Sequence, residues 1–114
     1  MSLSYQDPTI SHDHAIHLLS TNDPELIISA IISIGLNETD WQWAQDICLQ
    51  HLKNSNESIV SASITALSHI ARLHEKLDLE KAINALKETQ EKHPSLAGNV
   101  TDTLEDFEIF ITNR

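Results

Sequence analysis

At 114 residues, 40% of them apolar, the chain suits one domain with a continuous core and is too apolar for disorder along its main body. Two glycines and three prolines are too few breakers for a β-sandwich, and a single cysteine excludes a disulfide framework and a thiol-rich zinc site. The net charge of −10 is uneven: no Lys or Arg precedes Lys53, bases and acids balance from Lys53 to Lys92, and acids return at Asp102, Glu105, Asp106 and Glu108. A phosphate backbone would be repelled by both ends of such a chain, so nucleic acid is a poor partner and a basic protein a good one.

Met1 to Ile10 has no basic n-region and no apolar h-region, so it does not read as a signal peptide, and no apolar run nears the roughly 20 residues of a membrane span. These features predict a cytoplasmic protein with a flexible N-terminal segment over 1–10, a single domain over 11–111 and a short tail over 112–114.

Six helices are predicted in chain order. The first, about Ser11 to Ser20, carries Ala15, Leu18 and Leu19 on one face. Asp23-Pro24-Glu25 opens the second with an N-cap and a proline at the first helical position, where its missing N–H costs nothing. That helix is apolar nearly all round from Leu26 to Ile34, which predicts burial between neighbours, and Gly35 is expected to stop it. The third starts at Asp40 and lines up Trp41, Ala44, Ile47, Cys48, His51 and Leu52. The fourth, Glu57 to Glu75, repeats the apolar character of the second. The fifth begins at Asp78 and is cleanly amphipathic, with Leu79, Ala82, Ile83 and Leu86 inside. The sixth follows Pro94-Ser95 and places Val100, Leu104, Phe107 and Ile111 at helical spacing.

The chain repeats itself. Asn22 to Ile31 aligns with Ser55 to Ile64, placing Leu26 over Ile59, and Trp41, Ala44 and Cys48 align with Leu79, Ala82 and Leu86. A more apolar helix alternating with an amphipathic one is the pattern of an α-solenoid. The Asn-Asp-Pro-Glu-Leu-Ile-Ile-Ser-Ala-Ile opening and its copy resemble HEAT repeats, in which a polar turn precedes a helix of the form D-P-x-hydrophobic-R-x-x-A. Ile28 and Ser61 stand near the usual basic position, a departure from that pattern. The resemblance implies an all-α fold of about three HEAT-like helical hairpins over Ser11 to Ile111, and it leaves function open.

Catalytic motifs are wanting. His12, His14 and His17 form the densest cluster, with helical i,i+3 spacing between the last two, but no second cluster supplies the other ligands of a metal. His12-Asp13 resembles the dipeptide of HD-type phosphohydrolases, whose further ligands this chain lacks. Cys48 sits on the predicted core stripe, and no Gly-rich phosphate loop exists. No enzymatic activity, cofactor or metal is therefore expected.

Trp43 is the more informative residue. A rotation of about 100° per residue puts Trp43, Asp46 and Gln50 on one flank of the third helix. The repeat then superposes Lys81, Asn84 and Glu88 from the fifth helix on these positions, and Asp13 and His17 from the first on Asp46 and Gln50. In HEAT-like proteins the second helix of each pair lines the concave side, so the row Asp13, His17, Trp43, Asp46, Gln50, Asn84 and Glu88 is the predicted partner-binding groove. The alternative is that Trp43 packs on an adjacent loop. The sixth helix is left without a pair, and Ile109 and Phe110 lie off its main stripe as a candidate self-association patch.

The reading is a protein-binding module with an acidic recognition surface. A small acidic one-domain protein of this kind resembles the immunity proteins that neutralise bacterial polymorphic toxins, which implies a basic toxin domain as partner. An adaptor or regulatory subunit of a larger assembly is the alternative, ahead of a metal-dependent enzyme on the histidine cluster.

Overall fold

Residues 10–111 are described by a computed structural model, in which six α-helices follow one another: α1 (His12–Leu19), α2 (Pro24–Asn37), α3 (Trp41–His51), α4 (Glu57–His74), α5 (Leu79–Lys92) and α6 (Ala97–Phe110). A 3-10 turn at Pro94–Leu96 leads into α6, and no strand occurs among the described residues. The all-α expectation holds. Residues 1–9 of the expected N-terminal segment and the expected tail at 112–114 lie outside the described residues. Ile10 lies within them, and its N–H donates to Ser33 Oγ of α2 at 3.3 Å.

Helix starts are written in short polar side chains. Ser11, Asp23, Asp40, Asn56 and Asp78 are N-caps whose side-chain oxygens accept from the exposed first-turn amides, with Pro24 at the first position of α2. Each such cap is worth about 1 kcal/mol against alanine. Only α6 lacks a side-chain cap; it begins on the 3-10 turn instead. That turn is pinned to the start of α4, where Glu57 Oε1 accepts from the Ser95 hydroxyl at 2.8 Å and Oε2 from His93 Nδ1 at 3.2 Å. These two bonds hold the exposed Glu57 carboxyl below the usual carboxylate range.

The helices form two layers. α2, α4 and α6 pack side by side, and α1, α3 and α5 lie against them. Fully buried Ile31, Val60, Ile64, Leu67, Ile70, Leu86, Val100 and Phe107 fill the space between. Two expectations are corrected here. α2 does not stop at Gly35 but continues to Asn37, because Gly35 is there to let α4 approach: a Cβ built on it would come within 2.9 Å of Ala66 Cβ and 3.0 Å of Ala66 Cα. And α2 is not enclosed on all sides, since Leu26 is exposed and Ile28, Ile32 and Leu36 are half-buried.

The pairing of helices also differs from the expected one. α1 packs on α2, α3 on α4 and α5 on α6, so each amphipathic helix is the first of its hairpin rather than the second, and α6 has a partner in α5. The inner layer packs tightly on small residues such as Gly35 and Ala66, whereas α3 packs closely against neither α1 nor α5. Clefts therefore open between the outer helices.

Candidate protein interface

Two recesses run along the faces of α1, α3 and α5. The larger, about 570 Å³, lies between α3 and α5; Asp46, Gln50 and Lys53 form one wall, Lys81, Asn84 and Glu88 the other, with Leu49 and Ala85 between them. The second, about 360 Å³, lies between α1 and α3 and is more apolar, with Ile16 and Leu19 facing Trp43 and Ile47, and Ser20, Gln50 and His51 completing it. Gln50 belongs to both, so the two recesses form one valley crossing α3.

Two contacts set its shape. The buried Gln45 of α3 accepts from the backbone N–H of Asp78 at 2.6 Å, which fixes the start of α5 relative to α3. At the other end His12 tilts over the Trp43 indole with ring centroids 4.2 Å apart, and its Nδ1 donates to Glu38 Oε1 at 3.2 Å. The indole is thereby held half-buried against α1, with part of its surface left to the valley.

Of the residues expected to form a groove, Trp43, Asp46, Gln50, Asn84 and Glu88 line this valley. Asp13 and His17 are exposed on α1 but line neither recess; Ile16 occupies that position instead. With the amphipathic helices first in their hairpins, the concave-side rule points to the α2, α4 and α6 layer, and the valley consists of clefts between splayed helices. Sequence reading also passed over Lys53 and Gln45, and it left Lys81, which the repeat sets over Trp43, out of the groove. Lys53 and Lys81 bring positive charge to a groove expected to be acidic. Gln45 gave no signal at all, because a glutamine two residues past an indole looks like a solvated position until its partner on another helix is known.

Elsewhere the reactive groups are quiet. Cys48 is fully buried, and burial pushes its thiol up to about 12, so no thiolate is available near neutral pH. Among the described residues no group of three His, Cys, Asp or Glu side chains is placed to hold a metal, and His14 and His17 are exposed. On α4 the Arg72 guanidinium donates to His69 Nδ1 at 2.9 Å, and burial together with that positive charge lowers the His69 pKa against the opposing pull of Asp106. Asp106 in turn accepts a hydrogen bond from the Ser68 hydroxyl, tying α6 to α4. No helix among the described residues is long and apolar enough to cross a membrane. At the end of α6 Ile109 is 57% exposed, while Phe110 is half-buried.

Comparison with known proteins gives one decisive likeness. No family model and no curated protein matches the chain. Among solved structures, a chain from the crystal structure of a CDI complex from Cupriavidus taiwanensis LMG 19424 superposes with a TM-score of 0.80 at 30% sequence identity, over 96% of this chain and 98% of that one. The chain belongs to the same family as this component of a CDI complex. End-to-end coverage means that the whole six-helix arrangement is shared, the outer helices that bound the valley included.

Proposed function

We propose that this protein is a non-enzymatic immunity protein that neutralises a toxin domain by binding it. One observation carries the reading: the full-length likeness to a component of a CDI complex, that is, of a toxin–immunity assembly. Size and charge agree with it. The three hairpins read as HEAT-like repeats, supported by the recurrence of capped apolar helices at Asp23 and Asn56. Such a stack offers extended surface to a partner.

The toxin partner is a basic domain, drawn in by the net charge of −10. It docks on the valley across α1, α3 and α5, where an indole flanked by charged groups makes an anchor of the kind that dominates interface energies. Exposed Ile109 at the tip of α6 is the competing contact, through which a second copy of the chain would associate.

Co-expression with the toxin domain encoded beside it tests the function. The expected result is restored growth of cells making that toxin and recovery of the two chains as one complex. Growth arrest despite full expression of both, with no complex recovered, would defeat the immunity reading and leave an adaptor role.

A further inference from the structure

The two halves of the valley differ in chemistry, and that difference specifies what the partner must carry. Between α1 and α3 the surface is apolar: Ile16 is 45% exposed, with Leu19, Trp43 and Ile47 around it. Between α3 and α5 the walls bear two carboxylates, Asp46 and Glu88, and two ammonium groups, Lys53 and Lys81. Within α5, Lys81 to Glu88 spans about 10 Å at 1.5 Å rise per residue, and across from it Lys53 stands in the turn just past the end of α3. The wall of α3 and the turn after it runs from acid to base, and that of α5 from base to acid. None of these four side chains takes part in a side-chain salt bridge among the described residues.

A polybasic segment laid in this groove would meet the lysines at a cost in like-charge repulsion. Long-range attraction and short-range fit are therefore separate. The net negative charge draws a basic domain from a distance, but the groove itself is complementary to charges of both signs.

We infer that the valley recognises a single toxin surface element bearing a bulky apolar anchor for the α1–α3 recess and, beside it, at least one carboxylate together with basic side chains for the α3–α5 groove. This rests on the immunity reading and adds the chemistry of the docking element to it. The carboxylate answers Lys53 and Lys81, the bases answer Asp46 and Glu88, and the anchor packs on Trp43 and Ile16. Gln50, shared by both recesses, lies where the apolar and ionic parts meet.

The test uses the co-expressed toxin domain and full-length variants of this chain, with affinities from calorimetry and folding checked by circular dichroism. Lys53→Glu/Lys81→Glu decides the ionic part by sign, since both residues are exposed and their change leaves the core untouched. A groove that takes a carboxylate loses affinity on this change; a purely polybasic contact gains it. We expect a loss of about 10-fold or more, in the range of truncated charge pairs, and a similar loss for Asp46→Lys. Ile16→Glu, at an exposed site, and Trp43→Ala should each weaken binding about 10-fold or more, as removal of a buried anchor does. Tighter binding by the lysine variant would overturn the two-signed groove. Wild-type affinity in all four variants, with loss in Ile109→Glu, would overturn the valley while leaving the immunity reading standing. Failure of the unaltered chain to bind the toxin would remove both.

Discussion

Two glycines show how much one residue's surroundings decide. Gly35 faces backbone as well as side-chain atoms of Ala66, so a methyl group there must push α2 and α4 apart. Gly98, exposed near the start of α6, has open space where a methyl group would stand, with no atom within 4 Å. Gly35→Ala should therefore destabilise by about 1–2 kcal/mol: overpacking costs about 1–3 kcal/mol, and improved helix propensity returns up to about 1 kcal/mol. Gly98→Ala should stabilise by about 0.5–1 kcal/mol. Denaturant midpoints of the two variants check this, and equal shifts of one sign would refute the close-approach account. From sequence Gly35 reads as a helix stop, the commonest role of glycine at that place. What it does instead is visible only once Ala66, 31 residues on, is known to face it. Trp43 was recognisable as unusual, but not that His12 would stack on it, since His12 stands out first for its neighbours His14 and His17.

Helix existence and helix starts were legible because they rest on local chemistry. Asp23-Pro24, Asp40, Asn56 and Asp78 each cap where a short polar side chain precedes an apolar stripe. The pairing of those helices was not legible, because a repeat of alternating apolar and amphipathic helices has the same sequence whichever neighbour each helix folds back upon. Gln45 instead sets how two neighbouring hairpins sit, by holding the N-terminus of α5 beside α3. Gln45→Ala leaves the Asp78 amide without its buried acceptor, at a cost of about 1–3 kcal/mol. Because the same bond sets the spacing of α3 and α5, the variant should also bind the toxin domain more weakly although Gln45 lines neither recess. Gln45→Glu, which keeps an acceptor oxygen, should recover more of the binding than Gln45→Leu. Thermal unfolding and calorimetry on the three variants measure both effects, and loss of stability with wild-type affinity throughout would separate Gln45 from the valley.

At the scale of the whole chain, a net charge of −10 and a two-layer helical stack give a surface on which another protein can be held. Cys48 is sealed in the core; of the titratable groups with shifted values, Glu57 ties the 3-10 turn to α4 and His69 accepts from Arg72 within α4. The sequence pointed to a binder through size, charge and the absence of catalytic motifs. It could not reveal the two-signed lining of the groove, because Lys53, in the turn after α3, and Lys81, on α5, come into one groove with Asp46 and Glu88 only in the folded chain. The central claim is that this protein acts by occupancy rather than by chemistry. Titrating a fixed concentration of the toxin domain with purified protein, and following residual toxin activity, tests it most directly. The account predicts a linear fall that ends at one equivalent, unchanged by longer preincubation. Complete inactivation by a small fraction of an equivalent, progressing with time, would contradict it.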